Sequence, residues 1–462
     1  MSPPESGVEV SRSDGVGGFD GWSEDRVLRW LLLAGLAVRV VFTLWTDPVN
    51  RLLADDLIYT QQAKLWRESG VLETGYLERP PLYFAFLYLT SALWFGPIGW
   101  TLLSKLVQCL AGAAIAIPVY ALADRVAGPR AGRIAAAFVL FEPTMVAYCA
   151  ILWPETLYAL FTAIVFWRAT LLAPSLWVRP ILLGVLTGLA MLLKPAFGAF
   201  TVLLALHWWK QFGFRGAVRL SLVFGIATAV VLAPWVVRNQ IRYGPEILLE
   251  NEGPYNLWMS SHPGEPIEVF RAWHALPDPL TRARVASEKG WEGIRNDPAE
   301  YLRRTAVRAV NLWGLEYFVV RNLTLEGFGA IGVGTFLFWF WVIQLGYVAL
   351  LVAAAAGVRR LWQDPQTRLL LVWTLVFTAI SAGLVATTRF RMPFEIILAI
   401  AAGVGLTGAL EGRLRRTDLA AIGCAVLLLA LSFQRPMFRL IASGGLETLD
   451  QLRVSRWIYF WY

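Results

Sequence analysis

Charge is scarce in this 462-residue chain: Asp, Glu, Lys and Arg make up 16% of it, against roughly 25% in soluble globular domains. That is too little to solvate an ordinary soluble surface of this size. Cysteine and histidine are scarcer still, at three each. Cys109, Cys149 and Cys424 all lie inside apolar runs, which excludes a disulfide framework or a CxxC metal site and leaves packing as their role. His207 falls near an interface, while His262 and His274 are isolated and make no metal spacing. There is no P-loop, HExxH or GxSxG. Gly403-Val-Gly405-Leu-Thr-Gly408 matches GxGxxG, but it sits within an apolar run with no strand before it, so close helix packing is the better reading.

What is present is hydrophobic length. The chain is 57% apolar with mean hydropathy +0.55, and a spanning helix needs about 20 predominantly apolar residues. Spans are predicted near 28–46, 98–122, 132–151, 155–173, 180–193, 196–210, 217–236, 328–357, 367–387, 393–411 and 418–434. The net charge of +8 is scattered through loops, which suits a membrane surface rather than nucleic acid. Residues 1–26 are polar, Gly/Ser-rich and lack a basic start and cleavage site, and read as a disordered cytoplasmic tail.

Lys and Arg in short connections stay on the cytoplasmic side. Arg26 and Arg29, Arg125 to Arg133, Arg179, Lys210 to Arg219, Arg359 with Arg360, and Arg413 to Arg416 all fall inside only if residues 81–95 do not cross. That stretch follows Pro80-Pro81, ends at Gly96-Pro97 and is short for a span, so it is laid in the outer interface. The expected product is an all-α polytopic protein of eleven crossings. Its catalytic module covers 27–411 with outer segments 47–97 and 237–327, and 412–462 supplies a last span and an outer tail.

The ionisable residues that break hydropathy gather on the predicted outer side. Asp55 and Asp56 open the first outer segment, with Tyr59 one turn on. Adjacent carboxylates can act as a general base or hold a divalent cation, or merely begin an interfacial helix. Glu155, in Trp-Pro-Glu-Thr, fits either an acidic helix start or a site. Glu142 lies in the outer half of a span, where an ionisable group is a functional candidate or a partner for Arg39 or Lys105. Arg79, Lys194, Arg238, Arg389 and Arg391 each cap an outer boundary. One such cation is simply a snorkelling side chain, but five together suit a lipid phosphate. Tyr255-Asn-Leu-Trp258 offers aromatic faces to a sugar ring.

In this order and sidedness the motifs resemble the type C glycosyltransferases, specifically the group of protein O-mannosyltransferases and lipid A aminoarabinose transferases. The resemblance rests on Asp55-Asp56, Arg79-Pro80-Pro81-Leu82-Tyr83, Glu155, Lys194, Pro234-Trp-Val-Val-Arg-Asn239, Asn256-Leu-Trp258 and Arg389-Phe-Arg-Met-Pro393, over about 28–400. It implies a transmembrane bundle with juxtamembrane helices in the first outer loop, a polyprenyl-phosphate sugar donor and inversion at the anomeric carbon. The second acidic position, often Glu in the family, is Asp56 here.

The expectation is transfer of a sugar to a glycan, lipid or protein acceptor on the outer face of a bacterial inner membrane. Asp55 would be the base. Lys194, Arg238 and Arg79 would neutralise the lipid phosphate, and Glu155 with Asp56 would position donor, acceptor or a divalent ion, Asp55 and Glu155 being the candidate metal ligands. The alternative is a transporter or flippase of lipid-linked sugars, although no internal repeat is visible.

Overall fold

The computed structural model describes residues 24–47, 55–72, 79–93, 99–170 and 178–433, with 441, 443, 444, 446–449 and 451 beyond them. The polar tail, apart from 24–26, and most of the terminal segment after 433 lie outside the described residues. No strand occurs among the described residues, and each of the eleven predicted spans falls on helix. Six helices are long and apolar enough to cross a bilayer: Arg26–Thr46, Trp100–Ala127, Pro195–Tyr243, Val333–Gln363, Pro365–Gly383 and Thr388–Leu410. Pro129–Phe141 and Pro143–Cys149 form a seventh as a pair bent by 52°. The predicted spans at 155–173, 180–193 and 418–434 are the shorter helices Glu155–Thr170, Val178–Met191 and Arg416–Ser432. Residues 196–210 and 217–236 run as one helical element broken at Gly213, whose φ of 68° is a left-handed conformation that favours glycine.

The bend at Pro143 has a clear cause. Proline brings no N–H to the turn, so the carbonyl of Val139 loses its helical donor. Arg39 replaces it, donating to Val139 O at 2.6 Å and to Leu140 O. Glu142 caps the second half by accepting from Met145 N at 2.8 Å. Lys105 is occupied by Asp47 at 2.6 Å. Glu142 therefore pairs with neither of the two cations expected for it.

Glycines set the tightest helix contacts. A Cβ at Gly357 would strike Ala401 O, one at Gly403 would strike Ala131 O, and one at Gly405 would strike Ala353 O. The GxGxxG match is thus a packing surface between Glu395–Leu410 and its neighbours, as small residues allow in membranes. Large apolar side chains left outside, such as Val202, Leu206, Leu222, Ile226 and Val230, lie on the two helices of Pro195–Tyr243. They give those helices a surface that lipid can cover.

Leu82–Ala92 has 11 residues, roughly 16 Å of helix, and is too short to cross a core of about 30 Å. It packs on Asp55–Ser69 through Tyr59 against Tyr83 and Phe84, with ring centroids 4.9 and 5.0 Å apart. Residues 252–313 form four helices, three of them opening with proline in the first turn. Their small core holds Tyr255, Trp258, Val269 and Trp273. Tyr255 and Trp258 are each 9% exposed, so this pair builds a core and does not present free faces to a sugar.

Candidate active site

Five of the residues singled out in the sequence meet in one chain of ion pairs, although they are up to 334 positions apart. Asp55 starts the helix Asp55–Ser69, and Arg79 stands just before Pro80-Pro81, outside any helix, where a following proline disfavours helical backbone. The N–H of Leu82 donates to Leu192 O at 3.2 Å, which brings this segment to the turn carrying Lys194. Glu155 opens Glu155–Thr170, and Arg389 lies on the short turn Thr388–Arg391.

Arg79 donates to one oxygen of Asp55 at 2.8 Å, and Arg389 donates to the other. The Nε of Arg389 donates to Glu155 Oε1, which also lies 3.3 Å from Lys194 Nζ. Three cations thus alternate with two carboxylates, and a third carboxylate, Glu252, lies 4.0 Å from Arg79 at the end of the chain of ion pairs. The Arg389 guanidinium stacks over Trp153, 4.1 Å from the ring centroid, and that of Arg79 lies 5.2 Å over Tyr59. Burial pushes the Asp55 carboxyl up, but the charges and hydrogen bonds of Arg79 and Arg389 outweigh it and hold it well below the usual carboxylate range.

This chain of ion pairs borders a narrow cleft of about 100 Å³. Lys194, Arg389, Glu155, Glu250, Glu252 and Asn256 line it. Phe377, Ile380, Leu384, Val385 and Phe390 supply an apolar wall. The combination suits a ligand with an anionic head and a hydrocarbon tail.

Other expected site residues lie elsewhere. Asp56 follows Asp55 by one helical step, so it faces inward, 5% exposed, beside Tyr83. Arg238 donates to Leu72 O at 3.0 Å and to Asn239 Oδ1 at 2.8 Å. Arg391 is fully enclosed: it pairs with Glu316 at 2.8 Å and Glu395 at 2.9 Å, donates to Leu312 O and Gly314 O, and covers the Tyr347 ring. No surface of it is left for a ligand. Asp55 and Glu155 do not fit a divalent ion in this arrangement, because the Arg389 guanidinium fills the space between them. Among the described residues no three His, Cys, Asp or Glu side chains converge as metal ligands.

Glu250 and Glu252 were not singled out in the sequence. Trp235 Nε1 donates to Leu249 O at 2.9 Å and Asn239 Nδ2 to Leu248 O at 3.1 Å, one helical turn apart, which pins the loop that carries Glu250. Burial, then the charge of Glu252, pushes the Glu250 carboxyl up to about 8, against the opposing fields of Lys194 and Arg79.

The membrane-embedded helical bundle with a cationic, apolar-walled cleft has the fold of the type C glycosyltransferases. The particular comparisons are distant in sequence. An oligosaccharyltransferase of Archaeoglobus fulgidus, crystallised with a tethered acceptor peptide, is 14% identical with a TM-score of 0.50. The alignment covers 92% of this chain and 56% of that one. This chain thus spans little more than half the length of the oligosaccharyltransferase. ArnT of Cupriavidus metallidurans, crystallised with undecaprenyl phosphate, is 13% identical over 83% of this chain and 78% of its own, with a TM-score of 0.42. The arabinosyltransferase EmbB of Mycobacterium smegmatis is 12% identical over 87% and 43%, with a TM-score of 0.35. No family model and no curated protein matches the sequence.

Proposed function

We propose that this chain is a glycosyltransferase that moves a sugar from a polyprenyl-phosphate carrier to a glycan, lipid or protein acceptor, with inversion. The observation that carries the reading is the convergence of Arg79, Lys194 and Arg389 through Asp55 and Glu155 beside an apolar-walled cleft. Lys194 and Arg389 are the cations that meet the phosphate. Charge-assisted hydrogen bonds stabilise the lipid phosphate as the glycosidic bond breaks. Asp55 aims both guanidiniums, and Glu155 holds Arg389 and Lys194 together. The apolar wall takes the first isoprene units.

The site faces away from the cytoplasm in this reading, in a bacterial inner membrane, because the short basic connections all fall on the opposite side. Cysteine labelling from outside then modifies positions 57 and 262 and spares position 130. The activity is tested with purified full-length protein in nanodiscs. It is given undecaprenyl phosphate carrying ¹⁴C-labelled mannose, glucose or arabinose, with cell-envelope extract as acceptor. Transfer of label and release of undecaprenyl phosphate are expected, both lost in Arg389→Ala. Failure to bind undecaprenyl phosphate, with no transfer from any of these donors, overturns the reading.

A further inference from the structure

Two of the helices that border the cleft, Pro195–Tyr243 and Pro365–Gly383, also meet away from it. Phe197 and Phe200 each hold a ring centroid 5.6 Å from that of Trp373, and further along His207 Nε2 lies 3.1 Å from Gln366 Oε1. Beside these contacts lies a groove of about 630 Å³, several times the volume of the cleft. Leu203, Leu206, His207 and Lys210 line it from one helix, and Pro365, Arg368, Leu369 and Val372 from the other. Both sets keep the i, i+3, i+4, i+7 spacing of a single helical face. The leucines and Val372 lie toward the helix middles, whereas Lys210 comes just before the break at Gly213 and Arg368 is the fourth residue of its helix. The groove is therefore apolar within and cationic at its rim.

No carboxylate answers these two cations. Lys210 makes no ion pair or hydrogen bond among the described residues. Arg368 donates to Trp362 O at 2.7 Å and to Gln363 O at 3.5 Å, and stacks 5.7 Å over the Trp362 ring, but pairs with no acid among the described residues. Its neighbour Asp364 is committed elsewhere, to Arg125 at 3.6 Å and to the N–H groups of Gln366 and Thr367. Arg368 also stands at the positive end of Pro365–Gly383, a place that favours an anion over a cation. The groove opens on the surface that lipid covers: Leu206 is 45% and Trp209 55% exposed. An apolar trough at membrane depth is filled by hydrocarbon, since water gains no hydrogen bonds from its walls.

We propose that this groove binds one anionic phosphoglyceride, its phosphodiester held by Lys210 and Arg368 and its two acyl chains laid along the two apolar stripes. In the topology proposed above this is a lipid of the cytoplasmic leaflet, where basic pockets between membrane helices attract anionic head groups. A zwitterionic lipid would bring its own ammonium group up to two unanswered cations, so charge selects against it. Gln211, also at the rim, offers an amide to the hydroxyls of a glycerol head group. The inference stands apart from the glycosyl-transfer reading, because the groove and the cleft lie toward opposite ends of Pro365–Gly383: Pro365 to Val372 line the one, Phe377 to Ser381 the other.

The test is native mass spectrometry of the full-length protein in detergent, with phosphatidylglycerol, phosphatidylcholine or undecaprenyl phosphate added stepwise. A phosphatidylglycerol with a diazirine in one acyl chain then locates the lipid by photocrosslinking. Wild type is expected to take up one saturable copy of phosphatidylglycerol in preference to phosphatidylcholine, with crosslinks on residues 203–211 and 365–372. Lys210→Gln and Arg368→Gln should each weaken that copy about fivefold, and the double variant about 25-fold. Lys210→Gln removes no contact within the protein, so its melting without added lipid should equal that of wild type and its binding result stands whether or not Arg368→Gln folds. Arg389→Ala, altered only at the cleft, should bind phosphatidylglycerol as wild type does. Equal uptake of phosphatidylcholine, or undiminished phosphatidylglycerol binding in Lys210→Gln, overturns the proposal and leaves only unselective boundary lipid. Crosslinks confined to other helices, or a copy that prefers undecaprenyl phosphate and disappears in Arg389→Ala, place the lipid in the cleft and overturn it as well.

Discussion

Arg389 and Arg391 are two residues apart, and each is buried between two carboxylates, yet they belong to different kinds of structure. Two helical steps turn a side chain through roughly 200°, so one guanidinium looks into the cleft and the other into the packed interior. Arg391 is matched on the spot by Glu395, one turn away, by Glu316 and by two carbonyls. Arg389 takes its partners from Asp55 and Glu155, and lies 8% exposed along the cleft. Burial of an arginine thus says little about role. What separates the two is whether neighbouring groups satisfy every donor or leave an edge for a ligand.

The sharpest break in this comparison is removal of each charge. Arg391→Ala strands Glu316 and Glu395 in a closed site, and losing one partner of a buried ion pair costs about 3–5 kcal/mol. The variant is expected to lose its folded, monodisperse form in detergent, measured by thermal melting and size exclusion. In Arg389→Ala, Asp55 still has Arg79 and Glu155 still has Lys194, so the protein folds and loses transfer. Folding of Arg391→Ala with normal activity would erase the distinction.

A smaller effect is expected from Arg389→Lys. Lysine keeps the charge but lacks the fork that spans Asp55 and Glu155 and stacks on Trp153. Undecaprenyl phosphate affinity should fall about tenfold, near 1.4 kcal/mol, with melting little changed. Equal affinity would mean that charge alone serves.

Most of this architecture could be read in the sequence because membranes make it legible. Apolar length marked the helices, and the placement of Arg and Lys in short connections kept residues 81–95 from counting as a span. Asp55, Arg79, Glu155, Lys194 and Arg389 stood out since each breaks hydropathy at a helix boundary. The same rule picked Arg391, which breaks hydropathy equally well, because sequence does not show that Glu316 lies across from it. Glu250 was invisible for the opposite reason: in a polar segment a glutamate is unremarkable. Its one trace is Trp235 and Asn239, a helical turn apart, which hold its loop. Tyr255 and Trp258 misled because four short helices can form a core of their own.

The two clusters should also differ in their response to pH. Asp55 is depressed by its guanidiniums. Its contribution to stability is therefore complete above the ordinary carboxylate value of about 4 and is lost only in stronger acid, through its lower folded value. Glu250 has the reverse sign: raised in the folded state to about 8, it stays protonated where an unfolded glutamate ionises, so stability declines with pH between about 4 and 8. Melting of wild type should fall across that window, and Glu250→Gln should flatten part of the slope. A wild-type melting curve independent of pH would place Glu250 in a solvated environment.

The smallest expected effect concerns metal. A divalent ion shared by Asp55 and Glu155 would have to displace Arg389 from both, exchanging a bidentate guanidinium already in place for a hydrated cation that binds oxygen ligands. Arg389 then loses its carboxylate partners in a site where little water replaces them. Treatment with EDTA, followed by buffer exchange, should therefore leave the transfer rate of the wild type unchanged. Restoration of a chelator-sensitive rate by Mg²⁺ or Mn²⁺ would show that Arg389 leaves the carboxylates during turnover, and its contrast with the immobile Arg391 would then be one of motion as well as exposure.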